Sequence, residues 1–292
     1  MFAFGSLIIF SGIYYPLNDK GENIQTLLMW LGSIIYLFAA LMVYLYWKNS
    51  PHITIDKTNI KIGKKTYSLN NIKDVKLTGK VHFPFLLYAN MEGTVILFND
   101  ETEKKIFDDM YLNSFEVKLF LDQVVVNKQE FEIHKTKKIK SSDLRLENTE
   151  TFKGKQLLSL TGFSLWGVVG FFTFLLITKW TSLSIVVIIL ILLFGTFWFW
   201  ERSRLLHYYN LSKNFLIVNN HILFWKMIIY RFSDIREVVF ETQGQVSGIR
   251  LITNDYKSRL YSSAPLRNKT WIKMKKRLEN EGVKVRDEWI SK

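Results

Sequence analysis

The chain of 292 residues contains no cysteine, few histidines and no recognised catalytic motif. Without cysteine it has no disulfides, no thiolate metal ligands and no cysteine nucleophile. Its five histidines are scattered, and none has a second metal-ligand type at helical or hairpin spacing: His52, His82, His134, His207 and His221. Phosphate-loop, nucleophile-elbow and zincin patterns are also missing. We therefore predict a protein that is not an enzyme and has no metal or cofactor.

Charge is absent from two long apolar segments, residues 157–177 and 182–200. At about 1.5 Å per residue, a helix of either length would cross a hydrocarbon core of about 30 Å. Segment 26–47 has the same character, whereas segment 2–17 would reach only about 24 Å. A signal peptide is the alternative for segment 2–17, but it lacks a basic beginning and a small-residue cleavage site. We predict four transmembrane helices in two hairpins, residues 1–47 and 157–200.

Acidic residues are outnumbered in both polar regions of this chain, whose formal net charge is +13. Segment 48–156 has 19 basic and 15 acidic residues, and segment 201–292 has 18 and 9. Because basic residues concentrate on the cytoplasmic flanks of membrane spans, both polar regions and both termini are predicted to be cytoplasmic. The spans contain no ionisable residue, which argues against an ion-coupled transporter.

An internal repeat organises the polar regions. Residues 67–77 align without a gap on residues 230–240, and such repeats indicate duplicated structural units. Alternating apolar residues between turn residues predict short antiparallel strands, at 52–55, 60–62, 66–69, 94–98, 104–107, 249–253 and 257–261. The predicted domains are hairpin 1–47, module 48–127, charged connector 128–156, hairpin 157–200 and module 201–292.

Each module is predicted to end in a helix that packs on its sheets. Ser114 is the predicted N-cap of the first helix, whose apolar stripe comprises Phe115, Leu119, Val124 and Val126. In the second module Asn268 is the predicted cap, and Trp271, Met274 and Leu278 form the stripe. Stripes of this kind are far more often core than ligand-binding.

The two copies of the repeat share five matched positions: Tyr67, Leu69, Ile72, Asp74 and Val75 correspond to Tyr230, Phe232, Ile235, Glu237 and Val238. Through these residues the repeat shows a resemblance to the bacterial pleckstrin-homology-like domains found in duplicated membrane proteins. It implies a small seven-stranded, two-sheet barrel capped by one helix, and no catalytic residues. The predicted fold class is therefore an integral membrane protein combining α-helical and α+β structure, with four transmembrane helices and two capped barrels.

Two charged features are possible sites. Basic residues that could contact anionic lipid headgroups are Lys64, Lys65, Arg267, Lys269, Lys273, Lys275, Lys276 and Arg277. A solvated helix face with ordinary positive-inside bias explains the same charges. The adjacent Asp108 and Asp109 have oxygen ligands suited to a divalent cation, but acidic residues are also common where a helix begins.

These features predict a non-enzymatic membrane-anchored interaction protein, with two cytoplasmic modules that bind protein or lipid-headgroup partners. The expected location is a bacterial plasma or inner membrane. The alternative is a lipid-handling or small transport component with a binding region between the hairpins, where Gly162, Gly167 and Gly170 would let helices approach closely. Nucleic acid is not an expected partner, because no aromatic platform accompanies the charge. The oligomeric state stays open.

Overall fold

The chain divides into two units, with the boundary between Glu132 and Ile133. The computed structural model describes residues 21–84, 89–133, 139, 149–179 and 184–290. Within these residues there are five α-helices and fifteen β-strands. The two units are described separately as the first unit and the second unit.

The predicted fold of four transmembrane helices carrying two barrels is wrong. Among the described helices, only the segments Met29–Asn49 and Leu160–Thr178 meet the length and composition required to cross a membrane, and that evidence is weak. The strands form four separate sheets, so the described chain is mostly α+β structure. Segment 2–17 lies outside the described residues. The prediction failed because alternation identifies strands without determining which edges pair, and apolar length alone does not distinguish a span from a packed helix.

The first unit begins with a long helix, α1 (Gly21–Asn49). Three strands then form an antiparallel sheet: β1 (Ile53–Ile55), β2 (Asn59–Ile62) and β3 (Lys65–Ser68). A second sheet is centred on the long strand β6, which pairs with three others; its strands are β4 (Ile72–Lys76), β5 (Lys80–Phe83), β6 (Ala89–Phe98) and β7 (Glu103–Phe107). Four predicted strands of this unit are thereby confirmed within one residue, whereas β6 begins five residues before the predicted 94–98.

The helix that ends the first unit differs from its prediction. Helix α2 covers only Ser114–Phe120, and Leu121–Val126 continues with π-helical spacing, in which the Asn127 N–H bonds the Asp122 carbonyl at 2.9 Å. This wider turn shifts the apolar face. Leu121 is therefore buried, whereas Val126 is half exposed. The Ser114 hydroxyl donates to the Asp108 carbonyl at 3.3 Å instead of capping the helix.

The second unit contains two apolar helices and two four-stranded sheets. The helices are α3 (Leu160–Lys179) and α4 (Ile185–Ser203). The first sheet has the order β11-β10-β9-β8, with β8 (Glu150–Phe152), β9 (His207–Leu211), β10 (Phe215–Asn220) and β11 (Ile228–Arg231). The second has the order β14-β13-β12-β15, with β12 (Ile235–Gln243), β13 (Val246–Thr253), β14 (Ser258–Ser262) and β15 (Val285–Asp287).

Helix α5 (Asn268–Asn280) packs on these sheets through the predicted stripe of Trp271, Met274 and Leu278, each 0% exposed. This confirms the stripe. The helix begins at Asn268, so Arg267 occupies the cap position and makes no side-chain capping bond. Strand β15, which pairs in parallel with β12, was not predicted.

The repeat is visible in the local structure of both units. A 3₁₀ turn follows β3 at Leu69–Asn71 and follows β11 at Phe232–Asp234. The register of β4 on β6 shifts between Ile72 and Asp74, and that of β12 on β13 shifts between Ile235 and Glu237. β-Bulges of this kind bend a strand at a defined position. The aligned sequences thus produce the same turn and the same bulge.

Candidate functional site

The end of α4 lies beside the first turns of α3. The Trp198 indole N–H donates to the Ser164 carbonyl at 3.3 Å, and the rings of Phe172 and Phe194 make an edge contact with centroids 5.6 Å apart. The two helices are therefore antiparallel, and the beginning of α3 and the end of α4 form one base next to the sheets. This region is called the hairpin base below.

The segments leading into the hairpin base pack closely. A Cβ atom on Gly154 would lie 1.9 Å from the Pro265 carbonyl oxygen, so only glycine lets the chain before α3 pass the segment before α5. Close to it, the Ala264 N–H donates to the Leu205 carbonyl at 2.9 Å. These contacts hold the segment after β14 against the end of α4.

A groove of about 720 Å³ opens at this base, and we call it the hairpin-base groove. It lies between the first turns of α3, the end of α4, the turn joining β12 to β13, and the segment after β14. Its lining combines apolar and hydroxyl-bearing residues, including Leu160, Thr161, Ser164, Ser247, Ser263 and Leu266. Among the described lining residues, Arg202 alone is charged.

Arg202 is held over the Trp198 ring, with its guanidinium carbon 4.3 Å from the ring centroid. No described carboxylate forms an ion pair with it, whereas neighbouring Arg204 lies 3.5 Å from Glu201. A half-buried guanidinium with hydroxyl groups near it suits a phosphate or carboxylate, because its planar fork donates two parallel hydrogen bonds to either group. The groove therefore has the chemistry to accept an anion, next to an apolar helix pair.

The predicted basic residues of the second unit fall into two sets. Three of them are ion-paired: Lys273 with Glu150 at 2.6 Å, Lys275 with Asp287 at 2.7 Å, and Arg277 with Glu281 at 2.6 Å. The other three, Arg267, Lys269 and Lys276, are exposed and form no ion pair with described residues. Half of this cluster therefore neutralises acidic groups of its own unit.

The predicted basic residues are not all at one level of the second unit. Arg267 follows Leu266 of the hairpin-base groove, and Lys269 is in the first turn of α5. Arg277 lies ten residues further along, about 15 Å at 1.5 Å per residue. It approaches Glu150, which pairs with Leu211 at the end of β9 furthest from the hairpin base. Only Arg267 and Lys269 are thus close to the groove.

The predicted Lys64 and Lys65 of the first unit are exposed at the turn between β2 and β3. The Gly63 N–H donates to the His52 carbonyl at 2.8 Å, three residues beyond the end of α1. This bond places the two lysines at the end of α1 that adjoins the sheets.

Asp108, which the sequence suggested as a possible ligand of a divalent cation, is already occupied by another partner. It forms a buried ion pair with Lys118 at 2.7 Å, and both side chains are at most 2% exposed. The described residues contain no group of three or more His, Asp or Glu side chains placed to hold a metal ion. The carboxylate has a structural partner instead.

The three glycines proposed to let helices approach behave differently. A Cβ on Gly162 would lie 2.1 Å from the Gln156 carbonyl oxygen, so Gly162 is needed for the tight entry into α3. No described atom lies within 4 Å of a Cβ placed on Gly167 or Gly170. Those two positions give no close approach within the described part of the chain.

Two histidines at the hairpin base have lowered pKa values. Burial lowers the pKa of His207, opposed by its 2.9 Å hydrogen bond with the Ser262 carbonyl. Burial, followed by the charge of Lys153, lowers the pKa of His221 to about 4. Its ring packs on Tyr208 at 5.0 Å. Both imidazoles are therefore neutral in the folded protein at pH 7.

Acidification is expected to destabilise the second unit because of these histidines. Between about pH 6.5 and pH 4 the unfolded chain binds a proton at His221 that the folded chain does not, so stability falls as pH falls through this window. Allowing for partial exposure, we expect a loss of about 1–2 kcal/mol. Urea unfolding at pH 7 and pH 5 measures it. His221→Asn should reduce the change in unfolding free energy between pH 7 and pH 5, whereas His52→Asn, at an exposed histidine, should leave that change as it is. An equal change in the natural protein and in both variants would contradict the assignment of the effect to His221.

Arg202 was not singled out from the sequence, and the groove was not predicted. The one available signal was an arginine directly after an apolar segment rich in tryptophan. Comparison of the chain with protein-family models finds no match, and comparison with curated proteins finds none either.

Proposed function

We propose that this chain is a non-enzymatic, membrane-attached interaction protein whose β-rich units bind anionic lipid headgroups, or partner proteins, at the cytoplasmic face of a bacterial plasma membrane. The observation that carries the proposal is the hairpin-base groove, where Arg202 lies without a described carboxylate partner at the foot of an apolar helix pair.

Helices α1 and α3 support membrane attachment. Their apolar segments have 21 and 19 residues, which correspond to about 30 Å of helix. Most of their side chains are exposed, including Leu37 at 72% and Ile177 at 76%. Exposing such apolar surfaces to water would cost free energy, whereas lipid acyl chains would solvate them. A further apolar surface along α4 contains Ile189, Leu192 and Phe197 and no charged group.

The residues around the hairpin base support contact with the cytoplasmic leaflet. Basic residues there include Lys153, Arg202, Arg204 and Lys226, in keeping with the positive-inside rule. Trp198 and Trp200 are in the same region. Indole rings in general favour the membrane–water boundary. Each basic residue near an anionic leaflet contributes about 1 kcal/mol to binding.

Replacing Arg202 by glutamine is expected to weaken binding of phosphatidylglycerol to the full-length protein about fivefold, the effect of losing about 1 kcal/mol. Native mass spectrometry from mild detergent, over a titration of short-chain phosphatidylglycerol, measures the bound fraction. Phosphatidylcholine should bind weakly to both proteins, because its headgroup has no net charge. Arg202→Lys should fall between them, since it keeps the charge and loses the planar fork.

Arg277→Gln is the matched control. It removes the same group from the same unit, but this guanidinium already pairs with Glu281 and lies far from the groove. Equal losses for both variants would indicate diffuse charge instead of a site, and no loss for Arg202→Gln would contradict the proposal. Movement of the bound lipid between vesicles would favour the lipid-handling alternative.

A further inference from the structure

The loop between β10 and β11, residues 221–227, exposes large apolar side chains to an unusual degree. Phe224 is 80% exposed, Trp225 is 65% exposed and Met227 is 41% exposed. Lys226 lies among them and is exposed as well. We call this segment the aromatic loop. Three adjacent exposed apolar groups on a short loop indicate a surface that is covered in the working protein.

The aromatic loop is fixed to the hairpin base by hydrogen bonds. The Asn220 side chain donates to the Ser203 carbonyl at 2.7 Å, and its oxygen accepts from the N–H groups of Ile222 and Leu223 at 2.9 Å. Leu223 is only 4% exposed, so its buried side chain also anchors the loop. The position of the loop is therefore set by the last turn of α4.

The loop is also at the level where α3 begins. Lys226 lies over the Trp200 ring, with its Nζ atom 4.6 Å from the ring centroid. Two residues earlier in α4, Trp198 donates to the Ser164 carbonyl in the first turns of α3. The apolar segment of α3 that is long enough to span a membrane starts at Leu160. The loop thus lies beside the end of the apolar segment, where a membrane surface would be.

The first unit has a different segment at the equivalent position. There the turn between β2 and β3 consists of residues 63–64, and Gly63 bonds the His52 carbonyl. In the second unit, His221 bonds the Leu206 carbonyl at 2.9 Å in the same arrangement. The first unit therefore presents Lys64 at this place, whereas the second presents Phe224. Cationic and aromatic groups are the two residue types that favour the membrane–water boundary.

We infer that the aromatic loop inserts into the membrane–water boundary, with Phe224, Trp225 and Met227 among the upper acyl chains and Lys226 at the lipid phosphates. The inference rests on the membrane attachment proposed above. Insertion gives the second unit a contact with the bilayer in addition to α3. It also holds the hairpin-base groove at the depth of the headgroups. Lipid is the covering partner because the loop adjoins the apolar surface of the helix pair. Its lysine, Lys226, lies where the lipid phosphates would be.

Single-cysteine labelling tests the insertion directly, because the natural chain has no cysteine. Phe224→Cys would be labelled with an environment-sensitive fluorophore in the full-length protein, reconstituted into vesicles of phosphatidylcholine and phosphatidylglycerol. Lipids with a spin label near the top of the acyl chain quench fluorophores at that depth. A loop that inserts about 5–10 Å should show a blue-shifted emission and strong quenching.

Two further labels make the result specific. Lys213→Cys is in the turn at the opposite end of β10, about 20 Å away at 3.4 Å per residue. Its label should stay in water, and we expect the label at position 224 to be quenched at least about threefold more. Phe174→Cys on α3 reports whether the apolar helix is in the bilayer. Thermal unfolding of each labelled protein confirms that it is folded.

The outcomes separate this inference from the proposed function. Quenching at positions 174 and 224 but not at 213 supports it. Quenching at 174 with a water-exposed label at 224, or equal quenching at 213 and 224, overturns loop insertion and leaves membrane attachment standing. No quenching at 174 overturns both.

Discussion

Replacing Trp271 by alanine is expected to lower the free energy of unfolding of the second unit by about 3–5 kcal/mol. The indole is fully buried and contacts the rings of Tyr209, Phe240 and Trp289, with centroid distances of 5.7, 5.9 and 6.2 Å. Removing it leaves a cavity where α5 meets both sheets. Pulse proteolysis of the full-length protein in urea, with fragments assigned by mass spectrometry, reads unfolding of residues 149–290 separately.

Trp271→Phe is the matched control for that prediction. The indole N–H is buried without a hydrogen-bond partner among the described residues. Phenylalanine keeps most of the ring volume and removes this unsatisfied donor, so the loss should be less than about 1.5 kcal/mol. A similar loss for both variants would show that the exact fit of the indole, more than its volume, stabilises the unit.

Replacing Lys118 by methionine is expected to destabilise the first unit by about 3–5 kcal/mol. The Lys118 ammonium group and the Asp108 carboxylate are 2.7 Å apart, and both are almost fully buried. Methionine has a similar length and no charge, so it leaves the carboxylate buried without its cation. The same proteolysis experiment, read on fragments from residues 51–132, measures the change.

The double variant Asp108→Leu with Lys118→Met distinguishes a lost charge from lost packing. Once both charges are absent no isolated ion is buried, so the double variant should be more stable than Lys118→Met alone. If the double variant loses as much as the two single variants combined, the pair acts through packing and the hydrogen bonds around Asp108, and the electrostatic explanation fails.

Local features of both units could be predicted because they depend on neighbouring residues. Alternating apolar residues identified β2, β7 and β14 to within about two residues, since the period of two is a property of a strand by itself. The stripe of Trp271, Met274 and Leu278 identified the buried face of α5 for the same reason. The aligned repeat indicated two copies of one structural unit, and both copies contain the same 3₁₀ turn and the same bulge.

The sheet organisation could not be predicted in this way. Strand β15 has only three residues, two of them charged. It forms because Val285 pairs with Val238 of β12, which is far away in the sequence. The π-helical stretch after α2 changes which side chains are buried, and no residue type in 121–126 specifies it. The predicted barrels failed for a similar reason, since closure depends on which edges meet.

The candidate site shows the same division. Sequence alone grouped Arg267 with Arg277. The structure separates these two residues by about 15 Å and pairs Arg277 with Glu281. Arg202 became notable only when the fold brought Ser247 and Ser263 beside it.

The sequence by itself determined the repeat, seven of the fifteen described strands, the buried face of α5 and the excess of basic charge, because each depends on the order and chemistry of residues close together in the chain. Only the tertiary structure decided which sheet edges pair, which charges are neutralised and where the groove and the aromatic loop lie. Those features depend on contacts between segments far apart in the chain, whose geometry no local pattern contains.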